Sequence, residues 1–478
     1  MTTPIEQLIQ APEGKTLEFK RDLSSPRPLL KTLLAFANTA GGRLLIGVTD
    51  DRQVVGVADP LAEEERLCNM IADAIAPRLV PNIELFTVQG KTLLQVEVFL
   101  SGLRPHYLKA AGPENGVFVR LGSSNRQADP QLIAELQRSV EGISYDEMAM
   151  PDLSVDDLDL EAARKFFAGK RSLTEQELIT LKLLVRYQDR LVPSKGAVLL
   201  FGRERLFHFA DAWVQCGRFL GTEKVDIFDH IDIDVPLPAA VDEVMLFLKK
   251  HAYRGADLSG IRRRDVWSIP LPILREVIIN ALVHADYSQR GAPIRVVFLD
   301  DRIEVENPGI LLPGLTVEDM KQGTSKIRNP VIARVFRELD LIEQWGTGIR
   351  RIFQEAEKQG LPEPQIIEVG MRVKVIVPLK EAIVIPQGAE SRPESQPESP
   401  AQSGAHSEAQ SRAQSEAILH VLESGPLSAA EIAAALGLES KSGAFKRTIK
   451  QLVRDGRIAY TIPEKPNSRL QKYRLVEK

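Results

Sequence analysis

Cysteine is nearly absent: Cys68 and Cys216 are the only two in 478 residues. They stand far apart, without the Cys-x-x-Cys or Cys/His spacing of a zinc site, so neither a disulfide framework nor a structural metal is indicated. A reducing, cytoplasmic setting fits that usage. Long apolar runs are missing too. None approaches the roughly 18 residues that spanning a bilayer requires. The opening "MTTPIEQLIQ" has no basic segment followed by an apolar core. The expectation is a soluble cytoplasmic chain with no membrane partner. The glycine of a phosphate loop is lacking as well. Gly14-Lys15-Thr16 and Gly90-Lys91-Thr92 would each need a glycine five residues upstream, where Ile9 and Leu85 stand instead. There is no internal repeat, and the net charge of −4 excludes little.

What is present divides unevenly. A chain of 478 residues, 44% hydrophobic and 26% charged, has material for about three domains by the rough rule of 100 to 200 residues each. From 386 to 415 it reads "PQGAESRPESQPESPAQSGAHSEAQSRAQS", with alanine its only hydrophobic residue. Such a segment cannot bury enough surface to offset its ordering entropy and reads as a disordered linker. Beyond it, residues 416–478 hold 11 Lys/Arg against 7 Asp/Glu, net +4.

That tail has helical periodicity in "SEAILHVLES", in "LSAAEIAAALGL" with Ser428 as N-cap and Gly437 as stop, and in "SKSGAFKRTIKQLVRDG". Strand-like "RIAYTI" and "KYRLVEK" follow. Three helices and a two-stranded wing resemble a winged helix-turn-helix domain. Lys441, Lys446, Arg447, Lys450 and Arg454 on the third helix are then the candidate phosphate contacts. A solvated basic helix and a protein-binding winged helix are the competing readings.

The segment "PLPILREVIINALVHADYSQRGAPIRVVFLDDRIEVENPG" begins with a helix that places Glu276 and Asn280 one turn apart on a common face. An amide oxygen suits Mg²⁺, and a carboxylate can orient and deprotonate a water. "IRVVFL" and "RIEVEN" read as a hairpin around Asp300-Asp301, ending at Asn307-Pro308-Gly309. "QGTSKIRNP" and "EQWGTGIRRI" are glycine-containing loops able to approach phosphates closely. His284, one turn past Asn280, is a further candidate for the same pocket.

In that order these motifs resemble the divergent GHKL-type (Bergerat) ATP-binding α/β sandwich of a bacterial family of transcriptional regulators. The resemblance implies ATP with Mg²⁺ held by Asn280, Glu276 as hydrolytic base, and Asn307, Gly309, Gly323, Thr324, Arg328, Gly346, Thr347 and Gly348 around the nucleotide. The usual Asp-x-Gly-x-Gly box is here Asn307-Pro308-Gly309-Ile310-Leu311, with an amide for the carboxylate and no second glycine.

At the N-terminus, "EGKTLEFK" alternates like a strand, with Glu18 and Lys20 on one side and Glu13 able to return across Gly14. "LLKTLLAFANTAGGRLLIGVTDDRQVVGV" reads as helix, Gly41-Gly42 turn, buried strand ending near Asp50, and a partner strand "QVVGV". "EERLCNMIADAI" is helical, "IELFTVQ" and "TLLQVEVFL" form a hairpin, and "GVFVRLGSSNRQA" is a strand running into a polar loop. Glu13, Glu18 and Asp50, if gathered with Lys20, would hold one or two divalent cations against a phosphodiester.

These motifs together resemble the Schlafen-type AlbA-like domain. In the eukaryotic members the matching carboxylates cleave RNA, which implies catalytic and metal-binding (Mg²⁺ or Mn²⁺) roles for Glu13, Glu18 and Asp50, with Lys20 beside them. Bacterial members are described mainly as DNA-binding. The same residues also suit a structural salt bridge. Arg120, Ser123, Asn125 and Arg126 are candidate nucleic-acid contacts.

The expected architecture is an α+β multidomain chain. It runs as an AlbA-like domain over 1–140, a helical connector with the first part of the ATP-binding sheet over 141–269, the GHKL-type domain over 270–385, the linker over 386–415 and the winged helix over 416–478. Within 141–269, "LTEQELITLKLLVRYQDRLVPSKGAVLLFG" reads as a helical segment and a buried strand. The expected function is an ATP-binding regulator that binds DNA or RNA as a homodimer. A metal-dependent nuclease of stress or phage defence is the alternative.

Overall fold

The computed structural model describes residues 4–257, 264–342 and 348–383. In the C-terminal part it describes 418–422, 425–428, 431–432, 435, 452, 457–461 and 472–475. The chain forms two compact units, residues 1–387 and 388–478. It is a mixed α+β protein with several sheets.

The first unit begins with a four-stranded sheet. Strand β1 (Leu17–Lys20) leads to helix α1 (Pro26–Asn38), strand β2 (Gly42–Ile46) and helix α2 (Pro60–Ala74). The hairpin β3 (Asn82–Val88) and β4 (Lys91–Val98) completes a sheet of order β1-β2-β4-β3. Strands β1 and β2 are parallel, and the remaining pairs are antiparallel. The α1–β2 turn depends on Gly41, whose φ is +75° and where a Cβ would lie 2.8 Å from the Val98 carbonyl oxygen. Asp59 starts α2 by accepting from the Ala62 N–H. Leu29, Leu33 and Phe36 of α1 bury against Leu44, Ile46, Leu94 and Val96 of the sheet.

A small hairpin, β5 (Phe118–Leu121) and β6 (Ser124–Gln127), lies over α1 and precedes helix α3 (Pro130–Glu141). Thus "SSNRQA" supplies a strand rather than only a loop. "QVVGV" forms no partner strand to β2. It makes an isolated bridge, Val48 to Val54, because β2 is already paired on both sides.

The second sheet has six strands. Strands β7 (Val214–Leu220) and β8 (Asp226–Ile233) precede helices α4 (Leu237–Lys250) and α5 (Leu271–His284). Strands β9 (Ile294–Phe298) and β10 (Arg302–Pro308) follow, then helices α6 (Pro330–Glu338) and α7 (Gly348–Gln359). Strands β11 (Gln365–Val369) and β12 (Arg372–Pro378) close the order as β8-β7-β9-β10-β12-β11. Cys216, Val296, Val305, Val375 and Ile366 cross one face in register and pack with the helices in one core.

"KGAVLLF", expected as a buried strand, is the helix Lys195–Phe201, capped by the Ser194 side chain. An apolar run bounded by a good N-cap suits a buried helix equally well. Asp300 is more than a hairpin turn. It bonds the wholly buried Arg218 at 2.6 Å.

In the second unit, residues 418–422 are helical, and β13 (Ile458–Tyr460) pairs antiparallel with β14 (Tyr473–Leu475). Ser428 accepts from the Glu431 N–H while the Glu431 carboxylate accepts from the Ser428 N–H, a reciprocal cap.

Candidate functional site

Helix α5 is apolar nearly all round because it lies between the sheet and other helices, burying Ile273, Leu274, Val277, Ile278, Ala281 and Leu282. Its one polar stripe, Glu276, Asn280 and His284 at successive turns, lines a cavity of about 320 Å³. Asn280 Nδ2 donates to the Glu276 carbonyl at 2.8 Å and to Glu276 Oε1 at 3.0 Å. This fixes the amide and commits its donors to Glu276, leaving Oδ1 as the atom suited to a cation. Gly348 abuts the same carboxylate, and a Cβ there would collide with Glu276 Oε1. His284 is pulled down to about 4 by burial and by the nearby Arg328 guanidinium. It is therefore neutral near pH 7 and adds a hydrogen-bonding group rather than a charge.

The opposite wall comes from the segment between β10 and α6. Ile310, Leu311, Leu312 and Leu315 give an apolar surface, and Thr324, Ser325, Lys326 and Arg328 a polar one. Asn307 is buried, with Nδ2 donating to the Pro308 carbonyl at 3.2 Å. Gly309 has φ +99°, and a Cβ there would lie 2.9 Å from Asp286 Cβ. Gly323, with φ +97°, meets nothing within 4 Å, so its conformation alone requires glycine. Such a cavity suits a ligand with a flat apolar part and an anionic end. Gly346 and Thr347 lie outside the described residues.

This wall is also part of the N-terminal region. Ile310 packs in one core with Val119, Leu132 and Leu136 of β5 and α3. Arg328 bonds Glu135 of α3 and the Ile310 carbonyl. The Gly314 N–H donates to the Thr39 carbonyl at 2.6 Å. The Lys15 ammonium donates to Glu368 at 2.6 Å, and the other Glu368 oxygen accepts from the Leu311 N–H. Glu135 is pushed up by burial and drawn down by Arg328, with the burial effect larger. Sequence reasoning missed Glu135 and Glu368. Their partners are 193 and 353 residues away, and no local pattern announces them.

At the N-terminal carboxylates the expectation needs correction. Glu18 is buried between two cations: Oε1 meets Lys20 at 2.5 Å and Oε2 meets Arg120 at 2.5 Å. Glu13 Oε1 accepts from the Phe19 N–H at 2.8 Å, and Asp50 is exposed beyond the end of β2. The three carboxylates are not gathered, and no group of three potential metal ligands occurs among the described residues.

Arg120 is wholly buried, bonded also to the Gly14 carbonyl and to Asn125 Oδ1, each at 3.0 Å, so it does not face a phosphate. Asn125 is used on both sides, since its Nδ2 donates to Thr32 Oγ1 at 2.9 Å. A buried cation beside a buried carboxylate neutralises it, and this explains both placements. Ser123 and Arg126 are exposed on the hairpin. Lys441, Lys446, Arg447, Lys450 and Arg454 lie outside the described residues. Among those described, no helix is long and apolar enough to cross a membrane.

Comparison with known proteins assigns three segments. Residues 13–129 match the family described as Schlafen, AlbA_2. Residues 291–377 match "Putative ATP-dependent DNA helicase recG C-terminal", an ATPase-type domain. Residues 413–476 match the filamentation-induced-by-cAMP protein Fic-like C-terminal domain, which the motifs alone did not suggest.

Two solved structures are similar. The N-terminal domain of a "Putative ATP-dependent DNA Helicase RecG-related Protein" from Nitrosomonas europaea is 31% identical, over 26% of this chain and 90% of that one, with a TM-score of 0.21. The DIP2311 protein from Corynebacterium diphtheriae is 19% identical over 99% of this chain and 96% of that one, with a TM-score of 0.43. No curated protein matches. The chain thus carries a Schlafen-type AlbA_2 domain and a recG-like ATPase-type domain, with a Fic-like C-terminal domain.

Proposed function

We propose that the chain is an ATP-binding, nucleic-acid-associated regulator in which the cavity beneath α5 takes the nucleotide and its occupancy alters nucleic-acid engagement by the N-terminal region. The observation that carries the reading is the shared wall. The segment 310–328 lines the cavity and is bonded into the AlbA-like region through Ile310, Gly314 and Arg328. A ligand that displaces this wall must act on α3 and α1, which is the differential contact that coupling requires.

The cavity's mixed lining supports the nucleotide of a divergent GHKL (Bergerat) sandwich as its occupant. Asn280 would hold Mg²⁺, whose chemistry there is to neutralise charge on the phosphates. Thr324, Ser325 and Lys326 would face the anionic end, and Ile310, Leu311 and Val373 the base. Glu276, one turn before Asn280 on the same wall, would serve as the hydrolytic base. The C-terminal unit, as a winged helix, would add a second nucleic-acid contact on a tether, raising avidity without new affinity at either end. The locked state of Glu18 favours binding over cleavage.

The test is fluorescence anisotropy of labelled duplex and single-stranded nucleic acid with the full chain, with and without MgATP. The wild type should change affinity about fivefold or more on adding MgATP, the lower end of typical coupling. Glu135→Gln should retain MgATP binding and lose most of that change. Equal affinities in the wild type with and without nucleotide would overturn the reading.

A further inference from the structure

Among the described residues, nothing covers the outer edge of the six-stranded sheet. Strand β8 pairs with β7 on one side only, and no described strand lies on its other side; the His230 N–H donates to Asp229 Oδ1 at 3.0 Å, a contact local to the strand. Large apolar side chains accompany it: Ile227 is 59% exposed, Ile231 42%, and Leu246 on the adjoining α4 64%. Edges of this kind are usually short, cationic or interrupted by proline. Here the irregularity is a single bulge opposite Arg218 and Phe219, and residues 229–233 run in regular register against β7.

We propose that this edge is where a second copy of the chain docks, β8 pairing antiparallel with β8 of the partner about a two-fold axis through Ile231. The sequence of the edge singles out the register. A two-fold normal to the sheet requires the paired residue numbers to sum to an even value, since opposed side chains share a face.

Centring on Ile231 sets Ile231 against its own copy and sets His230 against Asp232 of the other chain, twice. The apolar contact falls on the helix-covered face, where Ile231 continues the row of Cys216 and Val296. The two His230–Asp232 pairs fall on the opposite face, where both residues are exposed. Centring on His230 would set Ile231 against Asp229 and leave no His–Asp pair. Centring on Asp229 or on Asp232 would set that carboxylate against its own copy, like charges directly opposed.

In the favoured register Asp229 lies opposite Ile233. It is already neutralised within its own chain by Lys250 at 2.7 Å and His251 at 2.9 Å. Leu246 of α4, beside this edge, would be covered as the two six-stranded sheets join into one.

Sedimentation of the full chain tests this. The wild type should be a dimer at micromolar concentration. His230→Asp should raise the dissociation constant about tenfold or more by opposing two carboxylates. The exchange H230D/D232H should restore it, because each new pair is again unlike. A direct check uses a Cys68→Ser background. Ile231→Cys, on the axis, should form an intermolecular disulfide on mild oxidation, since directly opposed strand residues lie within bridging distance. Ile227→Cys should not. A wild type that stays monomeric at about a hundredfold higher concentration, failure of the exchange to restore association, or cross-linking equal at the two positions would each overturn the proposal.

Discussion

Asn280→Ala should weaken MgATP binding by about 2 kcal/mol, about thirtyfold, while leaving the thermal transition almost unchanged. The size follows from losing an oxygen that meets a cation, since hydrogen bonds and contacts to charged groups are worth about 1.5–3 kcal/mol. The fold should survive because alanine is the best helix former and Asn280 spends its amide within its own helix turn.

Glu276→Gln makes the complementary case. It keeps the oxygen that accepts from Asn280 and removes the charge, so nucleotide should still bind while any hydrolysis falls by about two or more orders of magnitude. Calorimetric titration and phosphate release measure the two quantities separately. Undiminished MgATP binding by Asn280→Ala would place the nucleotide elsewhere.

Arg120→Ala should destabilise the first unit by about 3–5 kcal/mol, the usual cost of removing one partner of a buried ion pair. Its guanidinium joins three places: β1 through Glu18, the turn before that strand through the Gly14 carbonyl, and the β5–β6 hairpin through Asn125. It also lies over the Phe36 ring. Deletion leaves the Glu18 carboxylate buried with Lys20 as its remaining ion-pair partner. Glu18→Gln should cost less, because the amide oxygen still accepts a bond. Denaturant unfolding with matched slopes distinguishes the two. If Glu18 were instead poised to hold a cation, Arg120→Ala would leave stability nearly unaltered and divalent metal would stabilise the variant more than the wild type.

These residues also indicate what the sequence discloses and what it withholds. The Glu276–Asn280 spacing is legible because a helix puts residues four apart on one face, and the structure sets both on the cavity. The alternation of Leu17-Glu18-Phe19-Lys20 discloses the strand and the common side of Glu18 and Lys20 for a similar reason. Arg120 reads as a loop cation because a lone arginine in "FVRLGSSN" carries no sign that its partner is 102 residues earlier.

A buried strand ending near Asp50 and neighbouring the Glu18 strand would set the two carboxylates together, but β2 ends at Ile46, and the chain that follows carries Asp50 out to solvent. "KGAVLLF" shows the limit of periodicity: a fully buried segment has no polar face to reveal its repeat. The contacts that join the cavity wall to the AlbA-like region depend on tertiary packing alone, and they carry the functional proposal.

The most direct measurement is a crystal structure of the full chain with Mg²⁺ and a non-hydrolysable ATP analogue. The analogue should lie beneath α5, its metal on Asn280 and its base against Ile310 and Leu311, with the Arg328–Glu135 contact changed from its present form. An analogue bound elsewhere, or one seated in the cavity with segment 310–328 and Glu135 unmoved, would contradict the proposal.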